Sequence, residues 1–135
     1  MFIPPNSIIA AGPVIIEEGK VLLNREKKEN GITPWYFPGG TVESFDISLQ
    51  DACKREVKEE MGIDIEILAP LMPVLHIEDG RLIILIHFLA QRQGEISPGE
   101  NIVQWAWHDI TNLPPDCAPN VSEIINDIVH GPKLQ

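Results

Sequence analysis

The chain is 135 residues long, 44% hydrophobic and 22% charged, the profile of a single globular domain, 1–135, with enough apolar surface for a sizeable core. Its formal net charge of −10 argues against stable binding to nucleic acid or to an anionic membrane, since a polyanion is repelled unless cations intervene, so a phosphate-bearing ligand implies a metal. Two cysteines, Cys53 and Cys117, are too few for a disulfide framework. The longest apolar stretch, 82–90, is too short for a bilayer, and the start of the chain, 1–12, lacks the basic region of a secretory signal. The expectation is a soluble, cytoplasmic protein.

Apolar runs at 7–16 and 20–25 flank Glu17-Glu18-Gly19, the pattern of a hairpin whose glycine takes a positive φ. The polar stretch 24–34 is punctuated by glycine and proline and reads as a loop. From Ser48 to Met61, Leu49, Ala52, Cys53, Val57 and Met61 recur at helical spacing. Ser48 is placed to cap the start, with Asp51 at N3, and Gly62 to end the helix. Ile63, Ile65 and Ile67 alternate with acidic residues as a half-buried strand does. Asp79-Gly80 predicts a tight turn joining 71–78 to 81–91. A loop carrying Gly94, Pro98 and Gly99 leads to a strand over 102–110. Asn120 with Glu123 has the spacing of a capping box for a last helix that ends near Gly131.

The first helix carries Glu56, Glu59 and Glu60 away from its apolar stripe, at i, i+3 and i+4. Like charges at that spacing cost a few tenths of a kcal/mol per pair, partly offset by Arg55, four residues before Glu59. A solvated charged face is the plain explanation. The alternative is a site for a hard cation, because carboxylate oxygens suit Mg²⁺ or Mn²⁺, and such ions bind through a few carboxylates together with substrate phosphates. The preceding Phe37-Pro38-Gly39-Gly40 supplies backbone without side chains, able to approach a phosphate or lend a carbonyl to a metal. His76, His87, His108 and His130 show no metal-ligand spacing.

In "REVKEEMGI", Arg55–Ile63, together with the approach "WYFPGGTVE", the chain resembles the Nudix hydrolases, whose signature is a Gly, a Glu and then Arg-Glu-apolar-x-Glu-Glu-x-Gly-apolar. The resemblance implies a Nudix fold, an α/β/α sandwich around a central mixed β-sheet, over the whole chain. It further implies that Glu56 and Glu60 are main metal ligands, Glu59 is a further ligand or orients water, Arg55 holds the glutamates in place, and the Gly40 carbonyl is an added ligand. Mg²⁺, or Mn²⁺, is the implied cofactor. One departure stands out: Arg55 arrives one residue late, so the family's first Glu falls on Asp46 when counted forward from Gly40 and on Ile47 when counted back from Arg55. Asp46 would then do the same work with a shorter arm, or the position is lost.

The general base varies among such enzymes. Here the later-loop candidates are Glu95 and Glu100, with Glu100 preferred for its place just before the strand bearing Trp105. For the substrate, the resemblance implies that Gly39 and Gly40 face the diphosphate. Trp35, Tyr36 and Phe37, with His87 or Phe88, are candidates to hold a base, and each suits a core as well. Residues 113–120 are similar to the region of MutT-like members where an Asn reads a purine edge, which gives Asn120 either that role or the capping of the last helix. No proline stands at the downstream spacing of ADP-ribose hydrolases. The expected activity is hydrolysis of a nucleoside diphosphate linked to X, first a nucleoside or deoxynucleoside triphosphate cut to monophosphate and pyrophosphate. ADP-ribose or a nucleotide sugar is the alternative substrate, and a Nudix-fold module that binds nucleotides without turnover is the alternative of another class. Homodimers occur in the family, and the sequence does not decide between one copy and two.

Overall fold

The structure, a computed structural model, describes residues 4–131; Met1, Phe2 and Ile3 of the N-terminal reading lie outside them. Ten elements follow in order: β1 (Ile8–Glu17), β2 (Lys20–Lys28), β3 (Gly31–Ile32), β4 (Gly40–Thr41), α1 (Leu49–Met61), β5 (Asp64–Pro70), β6 (Val74–Glu78), β7 (Arg81–Gln93), β8 (Ile102–Asp109) and α2 (Pro119–His130). The strands make one mixed sheet in which β3, β2, β1, β7 and β5 are neighbours in that order, while β4 pairs β1, β6 pairs β7 and β8 pairs β2. β1 and β7 run parallel, with Ala11 beside Ile86 and Gly12 beside His87.

Alternation along β1 and β2 explains the layering. Ile15 and Leu22 point to the α1 side, where they join Ala52, Cys53, Val57, Met61, Ile65 and Phe88. Val14, Val21 and Leu23 point the other way, to Trp35, Phe37, Val121, Ile124 and Ile125 on the α2 side. Strands covered on both faces read as continuous apolar runs, which is why 7–16 looked so uniformly hydrophobic. The result is the α/β/α sandwich that the resemblance implies.

The α1 boundaries follow from two local interactions. Ser48 Oγ accepts a hydrogen bond from the Asp51 N–H at 3.0 Å, and Gly62 closes the helix in the left-handed region, φ 69°, donating its N–H to the Lys58 carbonyl. The two hairpin turns also form where expected, with positive φ at Glu18 and Gly19 and at Asp79 and Gly80. Both cysteines are free, and burial pushes the Cys53 thiol up to about 12. Among the described residues, no helix is long and apolar enough to cross a membrane.

Two expectations fail locally. The polar stretch after Leu23 is not all loop: β2 continues to Lys28 and turns back into β3, with Lys27 paired to Ile32 and Lys28 to Gly31. Nor does Asn120 cap α2. The N-cap is Ala118, which makes no side-chain capping bond, and Pro119 opens the helix with the fixed φ suited to its first turn.

Candidate active site

A cleft of about 570 Å³ opens where the loop from Tyr36 to Thr41 lies across β1 and the side of α1. Glycine lets these backbones approach. A Cβ at Gly12 would stand 2.0 Å from the Pro38 carbonyl oxygen, and one at Gly39, φ 151°, would stand 2.5 Å from the Ala11 carbonyl oxygen. Gly40 then meets α1: a Cβ there would come within 2.2 Å of Glu56 Oε2. The bare Gly39-Gly40 backbone and the Glu56 carboxylate are thus packed directly together.

Arg55 organises the rim. Its Nε and Nη2 each donate to a different oxygen of Asp46 at 2.8 Å, its Nη1 reaches Glu56 at 2.8 Å and Glu59 at 3.0 Å, and its Nη2 also donates to the Thr41 carbonyl at 3.1 Å. Such a planar fork suits two carboxylate oxygens at once. Of the two positions left open by the late arginine, Asp46 is the one that Arg55 holds, and Ile47 is 92% exposed. The guanidinium and the Glu43 backbone N–H hold the Asp46 carboxyl down at about 2.

Glu60 extends deeper, and the Gly39 N–H donates to its Oε1 at 2.7 Å. Burial, followed by a hydrogen bond and charge repulsion from Glu26, pushes its pKa up to about 9. Burial likewise raises Glu56, with Arg55 opposing. Glu26 is a component that sequence reading missed. It is buried on β2, hydrogen-bonded by the Tyr36 hydroxyl, with Lys28 Nζ 3.8 Å away. Glu26, Glu56 and Glu60 therefore share one cleft, whose partial burial penalises the charge of Glu56 and Glu60.

The rest of the lining is mixed, with His76 and Glu78 from β6 beside apolar residues of β7. Phe37, His87 and Asn120 meet there with Ile83 and Leu85. Asn120, freed of capping, lies with its amide nitrogen 3.2 Å from His87 Nε2.

The remaining sequence candidates lie elsewhere. Glu59 keeps its side chain 57% exposed, pairs with Arg55 and does not line the cleft, because it projects one step round the helix from Glu56 and Glu60. Glu100 is exposed and likewise outside the lining; its loop is fixed to the end of α1 by Ser97 and Gly99, whose N–H groups donate to the Met61 and Glu60 carbonyls. Trp35 is 6% exposed in the α2-side core, edge-on to His108. Phe88 is buried under α1. Among the described residues, no three His, Cys, Asp or Glu side chains already surround a point close enough to hold an ion. Partly buried carboxylates beside bare glycine backbone are nonetheless a donor set that fits a hard divalent cation.

The NUDIX domain matches this chain over residues 7–128; the chain belongs to that family. An ADP-ribose pyrophosphatase of Methanocaldococcus jannaschii is 29% identical over 110 residues, 78% of this chain and 64% of that protein. The 8-oxo-dGDP phosphatase NUDT18 of Danio rerio is 34% identical over 90 residues, 66% of this chain and 26% of its own. The chain spans less than two thirds of these relatives. Among solved structures, a MutT NUDIX hydrolase from Burkholderia pseudomallei superposes with a TM-score of 0.81 at 25% identity, covering 90% of this chain and 98% of that one.

Proposed function

We propose that this protein is a Mg²⁺-dependent Nudix pyrophosphohydrolase that cleaves a nucleoside diphosphate linked to X, first a nucleoside or deoxynucleoside triphosphate to its monophosphate and pyrophosphate. The observation that carries this reading is the cleft itself, in which half-buried Glu56 and Glu60 lie against the side-chain-free Gly39-Gly40 backbone and Phe37, His87 and Asn120 share the lining. Glu56 and Glu60, joined by the Gly40 carbonyl, would hold the cation. When bound, Mg²⁺ supplies neutralisation of diphosphate charge and a more acidic water.

The chain's own residues do the rest. Arg55 fixes Glu56 on one side while Asp46 fixes Arg55, so the carboxylate is aimed before a ligand arrives. The Gly39 N–H fixes Glu60. Glu26, buried behind Glu60 and held by Tyr36, replaces Glu100 as the preferred candidate for accepting a proton. Phe37 offers a ring and Asn120 an amide to a base.

A second substrate, ADP-ribose, is favoured by the name of the archaeal relative. Incubating the purified protein with nucleoside triphosphates, ADP-ribose and nucleotide sugars, with Mg²⁺ and with Mn²⁺, and identifying the products separates these readings. Tight binding without product formation would instead favour a nucleotide-binding module.

A further inference from the structure

Among the described residues that line the cleft, five are glutamates, Glu26, Glu43, Glu56, Glu60 and Glu78, and a single one, Lys28, is a lysine or arginine. Arg55, the other cation of the neighbourhood, is already engaged. Its guanidinium serves Asp46, Glu56, Glu59 and the Thr41 carbonyl, and it is not part of the lining. Lys28 is placed differently. It is the last residue of β2, held through its pairing with Gly31 of β3. Alternation along the strand puts it on the side of Glu26, while Lys27 faces away and stays outside the lining.

The Lys28 side chain is 60% exposed, and its Nζ lies 3.8 Å from Glu26 Oε2, an oxygen that already accepts from the Tyr36 hydroxyl. That separation is about 1 Å longer than a charge-assisted hydrogen bond, so the ammonium keeps its donors for another acceptor. Among the described residues it is the lysine's one ion pair. Glu26 in turn contacts Glu60. Laid end to end, the two contacts leave Nζ within roughly 9 Å of the Glu60 carboxylate, and a phosphate held against Glu60 lies between them.

An anion entering among five carboxylates is repelled unless cations meet it. A cation on Glu56 and Glu60 would meet part of a phosphate chain's charge, and the loosely held ammonium on the same side of the cleft meets more of it. Lysine suits this work, since it is a compact charge with three donors on a flexible stem. We infer that Lys28 is a substrate-binding residue that grips the phosphate chain, exchanging its loose contact with Glu26 for a phosphate oxygen when the ligand enters. This rests on the nucleotide reading above and adds to it the side-chain cation that meets the phosphates.

The test sets Lys28→Met against Lys27→Met. Each removes one positive charge from adjacent exposed positions, so the overall field changes alike, and only the first takes a cation out of the cleft. Lys28→Arg keeps the charge. An exposed side chain in a loose pair contributes little to folding, so all three melting temperatures should stay within about 1 °C of the wild type. Affinity for inorganic pyrophosphate in Mg²⁺, by calorimetric titration, and the KM of the nucleotide turned over fastest are read on the same preparations. Lys28→Met should weaken both by about tenfold, as loss of a hydrogen bond to a charged group does. Lys27→Met should change them by less than about twofold, through a screened field alone, and Lys28→Arg should keep most of the wild-type affinity. Equal effects of Lys28→Met and Lys27→Met, no effect of Lys28→Met, or a Lys28→Arg as weak as Lys28→Met overturns the inference and leaves the nucleotide reading standing. A wild type that neither binds pyrophosphate nor hydrolyses any nucleotide overturns that reading, and this inference falls with it.

Discussion

Gly40→Ala should disable the site while leaving the fold nearly intact. A methyl group at Gly40 would stand 2.2 Å from Glu56 Oε2 and 2.5 Å from its Cδ, more than 1 Å inside normal contact. The backbone is not the obstacle, since Gly40 is not among the residues with positive φ, and the atoms met are the far end of a flexible side chain. Glu56 must therefore swing away. It gives up its 2.8 Å bond to Arg55, but Arg55 keeps Asp46 and Glu59, so the stability cost should stay near 1 kcal/mol or below, roughly 4 °C in melting temperature. Displacing even a supporting group of a metal site lowers metal affinity by about 10–100-fold, and a ligand by at least as much. Gly12→Ala is the contrast: its methyl would meet the Pro38 carbonyl oxygen at 2.0 Å, backbone that cannot rotate away, and overpacking of that kind costs about 1–3 kcal/mol or more. Differential scanning fluorimetry without metal, with a Mg²⁺ titration of turnover on the same preparations, reads both quantities. Wild-type turnover and Mg²⁺ dependence in Gly40→Ala would refute the placing of Glu56 at the reacting centre.

Three further outcomes follow. Glu60→Gln should abolish turnover, by about a hundredfold or more, with the melting temperature of the metal-free protein unchanged or raised; burial and Glu26 already push the pKa of Glu60 up, so a neutral isostere suits its surroundings without metal. Near-normal turnover would refute its metal role. Asn120→Ala should leave the melting temperature within about a degree, because Ala118 and not Asn120 caps α2, while changing the ranking of nucleotide bases by about 1 kcal/mol; a large loss of stability with the ranking preserved would return Asn120 to a structural role. For pH, burial holds His87 down at about 4, below the roughly 6.5 of the unfolded chain, so its contribution to stability is complete above pH 6.5 and erodes as pH falls towards 4. His87→Gln should flatten that part of the melting-temperature profile, and parallel profiles would contradict it.

The legible parts of this fold were those where local chemistry and tertiary role agree. α1 announced itself through its apolar stripe, Ser48 and Gly62, and each does in space what its type suggests. The turns at Glu18-Gly19 and Asp79-Gly80 were equally direct. The second half of β2 was hidden because the residues it turns inward are Asn24 and Glu26, both buried and both polar. A reading by hydrophobic alternation misses a strand whose buried face serves a site, and it missed Glu26 for the same reason. Function of that kind is where local rules are expected to break. Asn120 with Glu123 matched a capping pattern, but Pro119 at the first helical position was the better signal, and it moves the cap to Ala118. Glu59 and Glu60 are neighbours in sequence, and only the rotation of α1 relative to the Gly39-Gly40 loop separates the exposed one from the half-buried one. His87 was a sequence candidate only by its type and strand; its surroundings were hidden, because its partners come from a loop fifty residues earlier and a helix thirty-three residues later.

The reading of the cleft as a cation-dependent diphosphate site is tested most directly by product analysis on a nucleotide panel with saturating Mg²⁺, repeated in EDTA and again with Glu60→Gln. The account predicts cleavage within the phosphate chain to a nucleoside monophosphate, lost on chelation, restored by added Mg²⁺, and absent from the variant. Cleavage that persists in EDTA, or that Glu60→Gln performs at the wild-type rate, would contradict it.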